Sequence, residues 1–194
     1  MMEPIQIKFA SGDESISSKN LGVQASLKDF WAWAYSDCLN NTTRGVLAEF
    51  IVALALGIDV KKPRDAWAKY DLEYNGIGIE VKSASFHQRW AQKKLSSIQF
   101  HIPATRAWTA TDNSMEDEAR RQAALYVLCL LSEKERSLVN PLDLDQWKFW
   151  VVPTIFFDRR KRSQKSITYN SLIVEKGEPI QFSRLKSSVD EVLG

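Results

Sequence analysis

Hydrophobic and polar positions change period several times along this chain, and each change marks an element. Leu27, Phe30, Trp31, Ala34 and Tyr35 recur near helical spacing behind Ser26, which predicts a capped helix running to about Leu39. Thr42 or Thr43 is placed to cap a second helix, from which Val46 to Leu56 reads V-L-A-E-F-I-V-A-L-A-L, with Gly57 as its stop. That helix looks apolar nearly all round and is expected to be largely buried. From Ile77 the period drops to two, sending Ile77, Ile79 and Val81 to one face and Glu80 and Lys82 to the other.

Farther on, Ser97 to Ile102 alternates as a half-buried strand ended by Pro103, and residues 104–117 read as a loop. Ala123 to Leu131 is a continuous apolar run suited to a strand covered on both faces. Trp147 to Val152 reads as a further strand, Phe156-Phe157, the basic run and Ser166 to Tyr169 follow it, and about Ser183 to Leu193 reads as a closing amphipathic helix. Residues 1 to about 20 are polar and aperiodic, so they read as a flexible or loosely packed arm. The tryptophans Trp31, Trp33 and Trp90 are expected in the core.

Asn75-Gly76 is the strongest turn signal in the chain, because both residues tolerate the positive φ of a two-residue type I′ turn. If Tyr74 pairs with Ile77 across it, Glu73 faces Gly78, Leu72 faces Ile79 and Asp71 faces Glu80. Opposed residues have Cβ atoms roughly 4.5–5.5 Å apart, where like charges repel. A divalent cation turns that repulsion into binding energy, since Mg²⁺ prefers one or two carboxylates with waters and phosphate oxygens. Glu49, the one charged residue between Val46 and Leu56, likewise needs a partner, a basic side chain or a metal, unless it lies exposed on a narrow polar edge.

At 194 residues, 44% hydrophobic and 26% charged, the chain suits one packed domain with additions. Its apolar runs are far shorter than the ~20 residues that span a bilayer, and a cytoplasmic protein is expected. Cys38 and Cys129 are too few for a disulfide framework, and no Cys/His cluster points to zinc. The net charge of +2 is mild, but it is unevenly spread. Arg159, Arg160, Lys161 and Arg162 form one cationic run, His87 to Lys94 a second, and Lys61 to Arg64 a third.

Glu49 on a helix, Asp71 on one strand and Glu80-Val81-Lys82 on the next resemble the core of the PD-(D/E)XK nuclease superfamily. Glu80-Val81-Lys82 is the only Glu-x-Lys tripeptide in the chain. Its near relative Asp59-Val60-Lys61 has no preceding strand acid to face it. Tyr70 stands where the superfamily's proline would be, which removes no chemical group. The resemblance covers about residues 42–131 and implies an α/β fold: a restriction-endonuclease-like core with a mixed sheet of about four to five strands flanked by helices, in the order α-β-β-β-α-β. A first core strand is then expected within Ile58 to Asp65 or near Ala66 to Ala68. Residues 132–194 would be family-variable additions.

The resemblance implies a Mg²⁺- or Mn²⁺-dependent endonuclease acting on DNA, with a homodimer possible. Asp71 and Glu80 would hold the metal, with the Val81 carbonyl as a further ligand and Glu49 reaching it directly or through water. Lys82 would orient the attacking water. Gln88, Arg89, Lys93 and Lys94 would grip phosphates, as would the run from Arg159 to Arg162. Glu73 is a candidate for a second metal, though an exposed strand acid is its simpler reading, and Ser83 or Ser85 could donate to phosphates. His87 and His101 lack a third ligand and receive no metal or general-base role. Two other classes stay open: a nucleic-acid-binding module whose metal site is vestigial, and a small adaptor in which the same four side chains form an ion network.

Overall fold

The run Leu125–Leu131 is buried at all seven positions, and in the computed structural model it forms the centre of the sheet. Residues 5–109, 113–160 and 164–194 are described. In chain order, β1 (Ser15–Ile16) pairs with β2 (Ala25–Ser26), followed by helices α1 (Leu27–Tyr35) and α2 (Asn41–Leu56). Strands β3 (Leu72–Tyr74), β4 (Ile77–Ser85) and β5 (Gln99–His101) come next, then a two-residue pair, β6 (Trp108–Thr109) with β7 (Ser114–Met115). After β8 (Leu125–Leu131) and β9 (Trp147–Pro153) come α3 (Thr154–Asp158), β10 (Ser166–Thr168), α4 (Tyr169–Lys176) and α5 (Phe182–Leu193).

The main sheet is four-stranded in the order β3-β4-β8-β9: the β3–β4 and β8–β9 pairs are antiparallel and the β4–β8 pair is parallel. Odd positions of β8 (Leu125, Val127, Cys129, Leu131) join Ile79, Val81, Phe149 and residues of α2 and α5 in one core. Even positions (Tyr126, Leu128, Leu130) join Trp150, Val152, Phe157, Phe100, Ile167 and Leu172 in a second core on the opposite face. Cover on both faces is why this strand carries no polar alternation. Full burial of each such side chain is worth about 1.5–3 kcal/mol, so the strand is the main anchor of the sheet. The mixed four-stranded sheet with flanking helices is the fold class expected, but among the described residues no helix lies between β4 and β8, so the expected α-β-β-β-α-β order is not kept.

Several local expectations are corrected. No strand occupies residues 58–68; they form turns, and the sheet takes its fourth strand from β9 instead. Helix α2 is capped by Asn40, whose Oδ1 accepts from Thr42 N–H at 2.9 Å, rather than by Thr42 or Thr43. Gly57 ends it in the left-handed region at φ 71°. Although α2 looks apolar all round, only one side is buried; Val46, Phe50 and Leu54 reach the surface.

Helix α1 begins at Ser26 as expected, with a capping box between Ser26 and Asp29, but it ends at Tyr35 and buries none of its residues. Trp33 is 83% exposed, Trp90 60% and Trp31 37%, so aromatic character at helical spacing does not report core packing here. The 104–117 loop contains the β6–β7 pair, and α4 has no counterpart among the expected elements. Residues of the N-terminal arm are mostly exposed, yet the backbone amides of Leu27 and Lys28 donate to the Glu14 and Gly12 carbonyls and tie it to α1.

The hairpin that carries the site forms in the expected register: Tyr74 faces Ile77, Glu73 faces Gly78 and Leu72 faces Ile79. Asn75 at φ 52° and Gly76 at φ 76° supply the two positive-φ positions of the turn.

Candidate nuclease site

Strand β3 starts one residue after Asp71, and hydrogen bonding at that end of the hairpin explains why. The Asp71 amide donates to the Ile79 carbonyl at 3.1 Å, the last backbone bond of the ladder. The next donor, Val81 N–H, goes to Asp71 Oδ2 at 2.7 Å. A carboxylate thus replaces a backbone carbonyl as ladder partner, which fixes Asp71 beside Glu80 at the sheet margin. Tyr70 turns back over Gly78 and donates to Glu73 Oε2 at 2.6 Å.

Glu80 and Lys82 leave the same face of β4, and their carboxylate and ammonium pair directly. Glu80 is held above the ordinary carboxylate range, first by burial and then by the Asp71 charge, while Lys82 pulls it back. Asp71 and Glu80 thus act on one another electrostatically in the folded chain.

Glu49 is buried on α2 and meets Arg64, from the turns that follow the helix, in a two-pronged ion pair. Arg64 Nη2 donates to Oε1 at 2.8 Å, and Nε to Oε2. Burial raises the Glu49 carboxyl, the Arg64 bond opposes this, and the charges of Asp71 and Lys82 both reach it. Of the two partners left open for Glu49, the basic side chain is the one present. Among the described residues no group of three or more His, Cys, Asp or Glu is arranged to hold a metal ion. The structure thus brings Asp71, Glu80 and Lys82 together, with Glu49 in their electrostatic neighbourhood but bound to an arginine.

Two cavities meet at Asp71, which lines both. The larger, about 660 Å³, lies along α2 and has Glu49, Arg64, Asp71 and Glu73 in its polar wall, with Trp31 and Phe50 among its apolar lining. The smaller, about 330 Å³, contains Asp71, Glu80 and Lys82 with Tyr70, His101 and Gln122. Tyr126, which pairs with Glu80 in the parallel ladder, also lines it. Gln122 donates to the Thr105 carbonyl and to Glu116, while its Oε1 is buried without a partner. Arg64, His101, Gln122 and Tyr126 were not assigned to the site from sequence. The pairing of β4 with β8 and the packing of β5 against β4 bring the last three near, and no local pattern encodes those long-range contacts.

The expected phosphate-binding residues lie elsewhere. Gln88, Arg89, Lys93 and Lys94 follow the far end of β4, five residues beyond Glu80 at Ser85, or roughly 16 Å along a strand, and none lines either cavity. Gln88 donates to the Ser85 carbonyl and Ser96 Oγ, both at 3.2 Å, Arg89 pairs with Asp37 at 2.9 Å, and His87 is buried with Nε2 against the Lys134 carbonyl. Arg160 is paired with Glu175 and lies over Phe156, and Arg159 follows α3 directly. Lys161 and Arg162 lie outside the described residues. Ser83 and Ser85 sit on β4 itself.

Among the described residues no helix is long and apolar enough to cross a membrane, and both cysteines are free thiols. Neither the curated proteins nor the solved structures contain a significant match to this chain. A family model does match: that of bacteriophage T4 endonuclease IV, over residues 13–169, a span that takes in α1, α2, the hairpin, β8 and β9. With a mixed sheet presenting paired acids and a lysine at its margin, and a match over most of its length, the chain belongs to the bacteriophage T4 endonuclease IV family and is a nuclease acting on nucleic acid.

Proposed function

We propose that this nuclease is a divalent-metal-dependent endonuclease that hydrolyses phosphodiester bonds in DNA in the cytoplasm, with its site organised as in PD-(D/E)XK enzymes. The observation that carries the reading is the end of the hairpin, where Asp71 accepts from the Val81 amide and its charge adds to burial in disfavouring the Glu80 anion. Asp71 and Glu80, with the Val81 carbonyl, would hold a hard cation such as Mg²⁺ or Mn²⁺, which would relieve that cost. Glu49 contributes negative potential from behind and would reach the ion through a water while Arg64 holds its carboxylate. When bound, the metal supplies an acidified water and neutralises charge that builds on the phosphate.

The chain's own residues do the rest. Asp71 is locked by the Val81 amide, so one carboxylate is positioned before substrate arrives. Lys82 emerges on the Glu80 face into the smaller cavity; there it orients the attacking water and donates to the phosphate oxygens. Arg89, Lys93, Lys94, Arg159 and Arg160 would meet the phosphate backbone at a distance from the reacting bond, where contacts set affinity and register.

The test is a cleavage assay on duplex, single-stranded and branched DNA with Mg²⁺, Mn²⁺ or EDTA, run beside Glu80→Ala and Lys82→Ala. Cutting should require the metal, vanish in Glu80→Ala and fall by about 10²-fold or more in Lys82→Ala, the scale of losing one group that stabilises transition-state charge. Metal-independent cutting, or a Glu80→Ala variant as fast as the unmodified chain, would sink the assignment.

A further inference from the structure

We propose that Arg64 is a phosphate-binding residue of this nuclease and that Glu49 is its positioning residue. The inference rests on the metal-dependent reading above and assigns the arginine a part in it. The two side chains are unequally buried: Glu49 is 10% exposed and Arg64 40%. A pair serving only to neutralise a buried acid has no need to leave its cation open to solvent. Here the carboxylate sits behind the guanidinium and takes Nε–H and one Nη2–H. An arginine has five N–H donors in a planar fork, so three remain beyond that pair.

Arg64 lines the 660 Å³ cavity together with Asp71, and the Asp71 charge reaches its guanidinium. Asp71 also lines the smaller cavity with Glu80, so a phosphate entering the larger cavity beside Asp71 would meet that guanidinium next to the proposed site. The planar fork matches phosphate oxygens two at a time, which lysine does not do. Glu49 removes the rotameric freedom that a solvent-facing arginine would otherwise lose on binding. Lys8 and Lys62 line the same cavity as further cations, together with the acids Asp59, Asp65 and Glu73.

The experiment compares Arg64→Gln, Arg64→Lys, Glu49→Gln and the double variant Glu49→Gln/Arg64→Gln. Binding of a fluorescently labelled oligonucleotide, single-stranded and annealed, is followed against KCl in Ca²⁺ and separately in EDTA, beside thermal melts. Arg64→Gln should bind about ten-fold or more weakly, as expected for a lost charge-assisted bond. The slope of log affinity against log salt should shrink by about 0.9 on duplex or about 0.7 on a single strand, one phosphate contact. Arg64→Lys should keep that slope but lose turnover. Glu49→Gln should keep the slope and lower kcat more than it raises KM.

The double variant separates the two roles. It removes the stranded buried carboxylate, so its melting temperature should recover from that of Arg64→Gln while its affinity and slope stay reduced. Recovery of affinity and slope together with the melt, or an unchanged slope in Arg64→Gln, would show that Arg64 merely neutralises Glu49 and would overturn the proposal. Failure of the metal-dependent reading has a different signature: an unmodified chain that cuts nothing in Mg²⁺ or Mn²⁺ while these binding differences persist.

Discussion

Glu80 shows at the scale of one residue what the site costs the fold. Burial, and after it the Asp71 charge, lifts its carboxyl above the ordinary value of 4.5, with Lys82 opposing. A folded pKa above the unfolded one means that the folded chain holds the extra proton between those two values. The metal-free protein therefore loses stability as pH rises through that window. Glu80→Gln removes the penalty, so without metal the variant should melt above the unmodified chain at pH 7. Each kcal/mol gained corresponds to about 2–4 °C for a chain of this size. The difference should close as pH falls toward 4.5; melts across pH in EDTA read it, and an equal gap at all pH values would refute it. Both the acid pair and Lys82 were legible from residue order, because a two-residue turn and period-two alternation determine which side chains share a face.

At the scale of the element, the hairpin depends on one close approach. A Cβ built on Gly78 would stand 2.5 Å from the Tyr70 ring, and Tyr70 is the residue before Asp71. Gly78→Ala must push that ring away and carry Asp71 with it. The expected cost is about 1–3 kcal/mol in a melt, typical of overpacking, with a larger loss of cutting than of stability. A variant that melts and cuts as the unmodified chain does would show Tyr70 to be dispensable for placing Asp71. Helix α2 carries the opposite lesson. Its composition marked it as buried, but Val46, Phe50 and Leu54 line its open side, and Glu49 lies between that side and the core.

Across the whole molecule, the core does not end at residue 131. Strand β9 closes the sheet against β8, and α5 packs with α2 over the same face. Tyr74, at the hairpin turn, donates to Asp190 of α5 at 2.9 Å and accepts from Lys186 at 2.7 Å. Residues 132–194, expected to be additions to the core, thus hold both the central strand and the hairpin. A fragment of residues 42–131 should show no cooperative melt by circular dichroism, since β8 would lose the partner on one edge and apolar cover on both faces. A cooperative transition in that fragment would show that the hairpin and β8 form a self-sufficient core.

The linear order of residues was enough to determine the hairpin and its register, the doubly covered strand, the last helix and the acid pair with its lysine. Each of these depends on interactions within a few positions: turn dihedrals, strand alternation, helical spacing, capping. Only the tertiary structure decided that Arg64 claims Glu49, that His101, Gln122 and Tyr126 border the cavity beside Glu80, and that β9 replaces a strand expected near residue 60. Those outcomes depend on which distant segments pack together and on how much water each charge keeps, and both are properties of the assembled chain.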